Sequence, residues 1–412
     1  AGILLLLLWL NRRRLLLNAF QIAVICALVL TVKAALQQYE WYSYLPHAFL
    51  HPAALQIQGT VLALFCLAWL GLRFLVKRAQ DGWLADAWRL LDSDFSIDRI
   101  VVWYLLGGSL LLAVYGALSG VTQELAALGS GYTGFNIAGF PHQEALGVGS
   151  WIVIGLLLVA MLASFYERRS SVYLLGALTT LAAIIPLLAG QFEHQIATAT
   201  AWRWLAAIFL LCGSLALWYR RTISQHLAAI GWFDQDTEIF AKQARTLLIA
   251  LTFGPLIVLT IYPALRTIYY LPVQSPVSGF FSWFDDGFSY GIPLVITGLV
   301  MIGYALRERM PRFAFYAGAL FNATVTLAFL LAVVTARGSM DRVVLVRLVQ
   351  LNALTFAVYI LPWLSTRGRW ESGLSQSDQR LADYLLKLQL ALAVVLNVAL
   401  FFPAVTTLIV TP

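Results

Sequence analysis

"FYERRSSVYLLGAL" at residues 165–178 and "LRERMPRFAFYAGAL" at residues 306–320 set out the same features in the same order. Each stretch leaves an apolar run, passes through a knot of arginines, and enters aromatics followed by Gly-Ala-Leu. Self-similarity at a fixed long period is the signature of a repeated structural unit. Working outward from the two stretches, a third arginine knot stands at "NRRR", residues 11–14.

The apolar runs between these landmarks have the length a lipid bilayer asks for, about 20 residues per spanning helix. We read them at 1–11 (partial), 15–37, 56–76, 99–122, 148–166, 171–190, 200–219, 246–270, 289–306, 313–336, 343–364 and 384–410. Four spans, a to d, make one unit. Span a ends in the arginine knot and span b follows at once. Span c ends in basic residues such as Lys77-Arg78 and Arg220-Arg221. A polar, Trp-containing connector leads to span d, which carries "YGAL" at Tyr115, "YPAL" at Tyr262 or "FPAV" at Phe402. The expected fold is therefore an all-α polytopic membrane protein of about 12 spans, the first partial, in three parallel four-helix repeats. The expected units are 1–125 (truncated at its start), 126–270 and 271–412. An even number of spans per unit makes successive units enter the membrane the same way, unlike the inverted repeats of many transporters.

Composition agrees. Hydrophobic residues make up 61% and charged residues 11%, against about 25% charged in soluble domains, and mean hydropathy is +0.80. The three cysteines, Cys26, Cys66 and Cys212, each lie inside an apolar run and lack metal or disulfide spacing. "AGILLLLLWL" precedes its charges, the reverse of a signal peptide, and reads as the tail of a span; the chain is expected to be a piece of a longer protein. Of the 27 Lys and Arg, twenty fall on the a–b turns and c–d connectors, Arg73 lies near that end of its span, and six fall on the opposite side. By the positive-inside rule the rich side is cytoplasmic, which suits a bacterial inner membrane. The basic pI is thus a matter of orientation, and no nucleic-acid partner is expected. The connector "DGWLADAWRLLDSDF", residues 81–95, has helical apolar spacing and reads as an interfacial amphipathic helix.

Ionisable groups at mid-span mark ion and proton paths, and no Asp or Glu sits near the middle of any span. Lys33, Arg73, Arg266 and Lys387 lie close to span ends and are expected to snorkel. Arg203 and Arg347 hold similar places in the second and third c spans, where the first has Gln56 and Gln58. Both arginines are expected to point into protein. Glu193 and His194 precede Arg203, and Asp341 precedes Arg347; together these form a candidate anion or ion-pair site, because guanidinium binds phosphate and carboxylate bidentately. His47 and His51 are four apart, a spacing that suits a metal or haem, but no third ligand is near. His142 and Glu144 form a possible acid/base pair. No metal site and no cofactor are expected, and no nucleotide or hydrolase fingerprint is present. The partners expected are the bilayer, other membrane subunits, or further parts of the same chain. Three functions are ranked: a non-catalytic scaffold or sensing platform, then a transporter or channel subunit, then a membrane transferase facing away from the cytoplasm and acting on lipid-linked substrates. The chain by itself is expected to do no chemistry.

Overall fold

The computed structural model describes residues 2–3, 14–43, 48–78, 96–127, 142–192, 195–229, 237–268, 286–337, 342–371 and 376–410. The described residues are helical, with no strand among them. The long helices are α1 (Arg14–Leu36), α2 (Pro52–Arg78), α3 (Ile97–Ala127), α4 (Val148–Arg168), α5 (Ser171–Ala189) and α6 (Gln195–Trp218). They continue with α7 (Arg220–Ala229), α8 (Thr237–Ile268), α9 (Asp286–Arg307), α10 (Pro311–Arg337), α11 (Arg342–Glu371) and α12 (Gln376–Val410). Among the described residues, ten helices are long and apolar enough to cross a bilayer. This is an all-α, multi-pass membrane protein.

Each expected span from 15 onward lies on one of these helices. α8 and α12 start before their apolar runs, at Thr237 and Gln376, because polar first turns continue the helix where an acid favours its N-terminus. Those acids are Glu238 and Asp378; α3 has Asp98 in the same place. The three are spaced 140 residues apart. Proline opens α2 and α10, where its missing N–H costs nothing. Inside the spans, hydroxyls return their hydrogen bonds to the preceding turn: Ser109 donates to Leu105 O (2.7 Å), Thr180 to Gly176 O (2.8 Å) and Thr297 to Pro293 O (2.8 Å). In hydrocarbon, where no water can partner a polar group, that arrangement is what makes them tolerable.

Both quoted stretches turn through an arginine with positive φ. After α4, Arg169 takes the left-handed conformation (φ 57°, ψ 24°) and its N–H donates to Phe165 O at 2.7 Å. After α9 the left-handed residue comes one position later: Glu308 N–H donates to Tyr304 O at 3.1 Å and Arg309 has φ 55°. Arg169 and Arg309 are the only non-glycine residues with positive φ among those described. A left-handed residue just past a helix end is the standard way to satisfy its last carbonyls, normally with glycine. The residues expected to form an amphipathic helix, 81–95, lie outside the described residues.

The chain divides into two compact units: residues 1–198 with 221–247, and residues 199–220 with 248–412. In the first, the α4–α5 hairpin packs on the α2–α3 pair. Ala63, Cys66, Val102, Leu105, Val153, Leu157 and Met161 form one core, and Ala113, Leu146, Ile154, Ala183 and Leu187 a second. α4 lies parallel to α2 in constant register: Gln56 meets Ser150, Gly59 meets Val153, and Arg73 meets Glu167, each pair 94 residues apart. Lipid tails are as apolar as leucine, so close packing by small residues and polar contacts, rather than water exclusion, must hold these helices together. Gly59 and Ala63 serve that purpose.

In the second unit, α9 and α10 pack as a hairpin. Here α8, α9 and α10 border an apolar cavity of about 400 Å³, lined by Phe253, Ile257, Leu294, Ala319, Ala323 and Leu327 among others.

Candidate functional site

The strongest polar constellation lies at the arginine-rich end of the first unit. Arg73, on α2, is 1% exposed. Its Nη2 lies 2.6 Å from both carboxylate oxygens of Asp98 and 3.0 Å from Ser96 Oγ. The expectation that Arg73 snorkels is therefore wrong: a carboxylate one helix away outcompetes water. Lys33 and Lys387 are exposed as expected, while Arg266 has no described side chain.

Asp98 is reached from a third helix. Gln21 of α1, fully buried, donates from Nε2 to Asp98 Oδ1 (3.1 Å) and accepts the Ile97 N–H on Oε1 (3.1 Å). That N–H is one of the first-turn donors of α3 that no helix can satisfy internally. Cys66 donates to the Asp98 carbonyl at 3.4 Å. From α4, the Glu167 carboxylate, 3% exposed, lies 3.9 Å from Arg73 Nη1 and 3.6 Å from Arg99 Nη2. Two buried arginines thus face two buried carboxylates, and residues of four helices meet. Removing two charges from water costs several kcal/mol per ion, so such a set persists only if each member is answered. Each hydrogen bond and ion pair here fixes one helix against another.

At the opposite end of the same helices a second polar set forms. His51 Nε2 lies 3.2 Å from Glu144 Oε2, and the His51 ring packs on Trp41 with centroids 5.0 Å apart. Gln56 donates to Glu144 O (2.6 Å) and Ser150 Oγ (3.0 Å), and Ser150 donates to Ala145 O (2.7 Å). The sequence paired His51 with His47 and Glu144 with His142; the fold pairs His51 with Glu144 instead. His142 belongs to the helical turn His142–Ala145. Between Gln56 and Arg73 α2 rises about 25 Å at 1.5 Å per residue, close to the hydrocarbon thickness of a bilayer. The polar sets therefore clamp both ends of an apolar span.

The second unit joins its helices with different chemistry. Arg203, on α6, is 0% exposed. Its Nη1 donates to Leu259 O (3.1 Å), its Nη2 to Thr200 Oγ1 (3.0 Å), and its guanidinium carbon lies 3.5 Å from the centroid of the Tyr290 ring on α9. No carboxylate pairs with it among the described residues. Further along, Ser214 and Tyr304 share a 2.8 Å hydroxyl hydrogen bond, the Trp218 ring meets Tyr304 edge-on at 5.5 Å, and Arg307 donates to Trp218 O at 2.6 Å. Gly303 lies against the Trp218 ring, leaving no room for a side chain. Here too the two helices run parallel.

Of the sequence-derived candidates, Arg203 is buried as expected. Arg347 is exposed on α11, contrary to the expectation that it points into protein; no helix covers its face of α11 among the described residues. His47, Glu193, His194 and Asp341 lie outside the described residues. No group of three or more His, Cys, Asp or Glu arranged to hold a metal occurs among the described residues. The sequence reading missed Asp98 and Glu167, although the 140-residue recurrence of Asp98, Glu238 and Asp378 was there to be read. No family model matches the sequence, and neither a curated protein nor a solved structure is detectably similar to it.

Proposed function

We propose that this chain is a non-catalytic intramembrane scaffold, built from three four-helix units in which the first helix of each unit docks, in parallel, on the third helix of the unit before. The observation that carries this reading is Glu167. It sits in the first helix of the second proposed four-helix repeat (126–270), and its carboxylate answers Arg73 and Arg99, which belong to the third and fourth helices of the first repeat, all three within the first compact unit. The contacts of Tyr290 and Tyr304 with Arg203, Ser214 and Trp218 repeat the arrangement between the second and third units. The left-handed arginines at 169 and 309 support the repeat itself.

The buried charges favour a scaffold because they are spent on one another. A carrier leaves such groups facing a path through the membrane; here they lie at the ends of packed helices and fix neighbouring spans. The arginine-rich turns face the cytoplasm on this reading, and the charge asymmetry suits a bacterial inner membrane. In a cysteine-free background, Ser224→Cys and Gln195→Cys label from opposite sides of sealed vesicles. Purified chain in liposomes passes no protons or small ions above the protein-free background. Flux that disappears with Arg73→Gln or Glu167→Gln would replace the scaffold with a channel or carrier. The apolar cavity of the second unit favours an alternative, a carrier or transferase for a lipid-like molecule. Saturable uptake of a fluorescent fatty acid by the wild type, lost in Ala323→Phe, would establish it.

A further inference from the structure

The face of α2 that receives α4 is the stripe Gln56, Gly59, Ala63, Cys66, Leu70 and Arg73, all buried. Its steps of three and four residues keep it on one side of the helix. The same steps counted from Arg203 on α6 give Ala206, Leu210 and Leu217, also buried, and between them Gly213, half-buried against Leu248. Counted from Arg347 on α11 they give Gln350, Leu354, Ala357, Leu361 and Leu364, and every one is exposed. Leu354 and Leu361 are 63% and 64% exposed. Only 17% of the core stretch of α11 is buried, against 33% for α2.

We infer that this face of α11 is a docking surface for a further membrane-spanning helix of the α9 kind: parallel to α11, with a carboxylate and an aromatic ring at the Arg347 end and an arginine turn at the other. The inference rests on the serial-docking reading above. Continuity supplies the first argument, since the equivalent faces of α2 and α6 are occupied by helices of this kind. Charge supplies the second. Arg347 stands at the place of Arg203, makes no hydrogen bond or ion pair among the described residues, and is exposed on a helix with mean hydropathy 1.9. An arginine in a lipid-facing position is costly. The two helices that dock elsewhere both bring an acid to this end: Glu144 just before α4, and Asp286 as the first residue of α9. A helix that seats on α11 in the same way sets a tyrosine ring against Arg347, as Tyr290 meets Arg203, and carries an acid near the same end of the helix.

The test uses the full chain in nanodiscs and, as probe, a synthetic peptide with the sequence of residues 285–309. A photo-crosslinking amino acid replaces Leu354 or Leu361, and Leu111, 71% exposed on α3, serves as control. Cross-linking at 354 and 361 at least fivefold above position 111, lost with Arg347→Glu and kept in part with Arg347→Lys, is the expected result. Equal yields at all three positions, or yields indifferent to Arg347→Glu, would overturn the proposal and leave α11 as a lipid-facing helix. A chain-to-chain adduct through Leu354 without peptide would overturn it too, in favour of a second copy. A disulfide between Gly59→Cys and Val153→Cys, formed in the same sample, separates the two levels: if it forms while the peptide fails, the serial docking stands and only the α11 surface falls.

Discussion

Arg73 and Arg203 are both fully buried, both on helices that receive a parallel neighbour, and they are neutralised in opposite ways. Arg73 faces carboxylates from two other helices, with a glutamine and a serine completing the set. Arg203 has a backbone carbonyl, a threonine hydroxyl and the face of a tyrosine. The first joint is ionic at its arginine-rich end; the second is aromatic, with Trp218 and Tyr304 where the first has charges. The same docking geometry is thus reached with different chemistry. The backbone arrangement, with small residues at close approach and polar contacts near the ends, is what the two joints share, and the charged residues of either joint are one solution among several.

The comparison is broken most severely by stranding a charge. Asp98→Ala leaves Arg73 buried without its nearest carboxylate, and loss of one partner from a buried pair costs about 3–5 kcal/mol. Unfolding in mixed micelles should show it, while the double change Arg73→Met with Asp98→Leu recovers most of the loss. Next is Gly303→Leu, which drives a side chain into the Trp218 ring. Overpacking of this kind costs about 1–3 kcal/mol and should loosen α9 but not α4, as read by hydrogen exchange. Tyr304→Phe removes the hydroxyl bond to Ser214 and keeps the ring, a loss of about 0.5–1.5 kcal/mol; the same assay should find the first unit unchanged. Smallest is Arg347→Gln in the isolated chain. With its side chain exposed and unpaired, the change stays within about 0.5 kcal/mol, in contrast to Arg203→Gln, which strands the carbonyl and hydroxyl that the guanidinium serves.

Much of the architecture was legible in the sequence because the bilayer imposes it. Spans of about 20 apolar residues and arginine knots at one end leave few alternatives, and the runs at 148–166, 171–190 and 289–306 match α4, α5 and α9 to within a few residues. The candidate site was less legible. Arg203 was found because a lone arginine inside an apolar run is conspicuous. Arg73 was misjudged because its partners are 25 and 94 residues away in the chain, and closeness to a span end looks the same whether a side chain reaches water or a buried acid. His51 and Glu144 were each singled out but paired with sequence neighbours. Their meeting depends on α4 lying beside α2, a fact of packing that no local pattern carries. Arg347 shows the converse: its position in the sequence matches that of Arg203, and only the neighbouring helices decide that one is buried and the other is not.

Paired cysteines test most directly whether α4 lies parallel to α2 in fixed register. Gly59→Cys with Val153→Cys and Gln56→Cys with Ser150→Cys, in a chain otherwise free of cysteine and carrying a protease site within residues 128–141, should each oxidise to a species that stays linked after cleavage. Gly59→Cys with Ser164→Cys, three turns out of register, should not. Linkage of the third pair in preference to the first two, or of none, would contradict the parallel docking on which the scaffold rests.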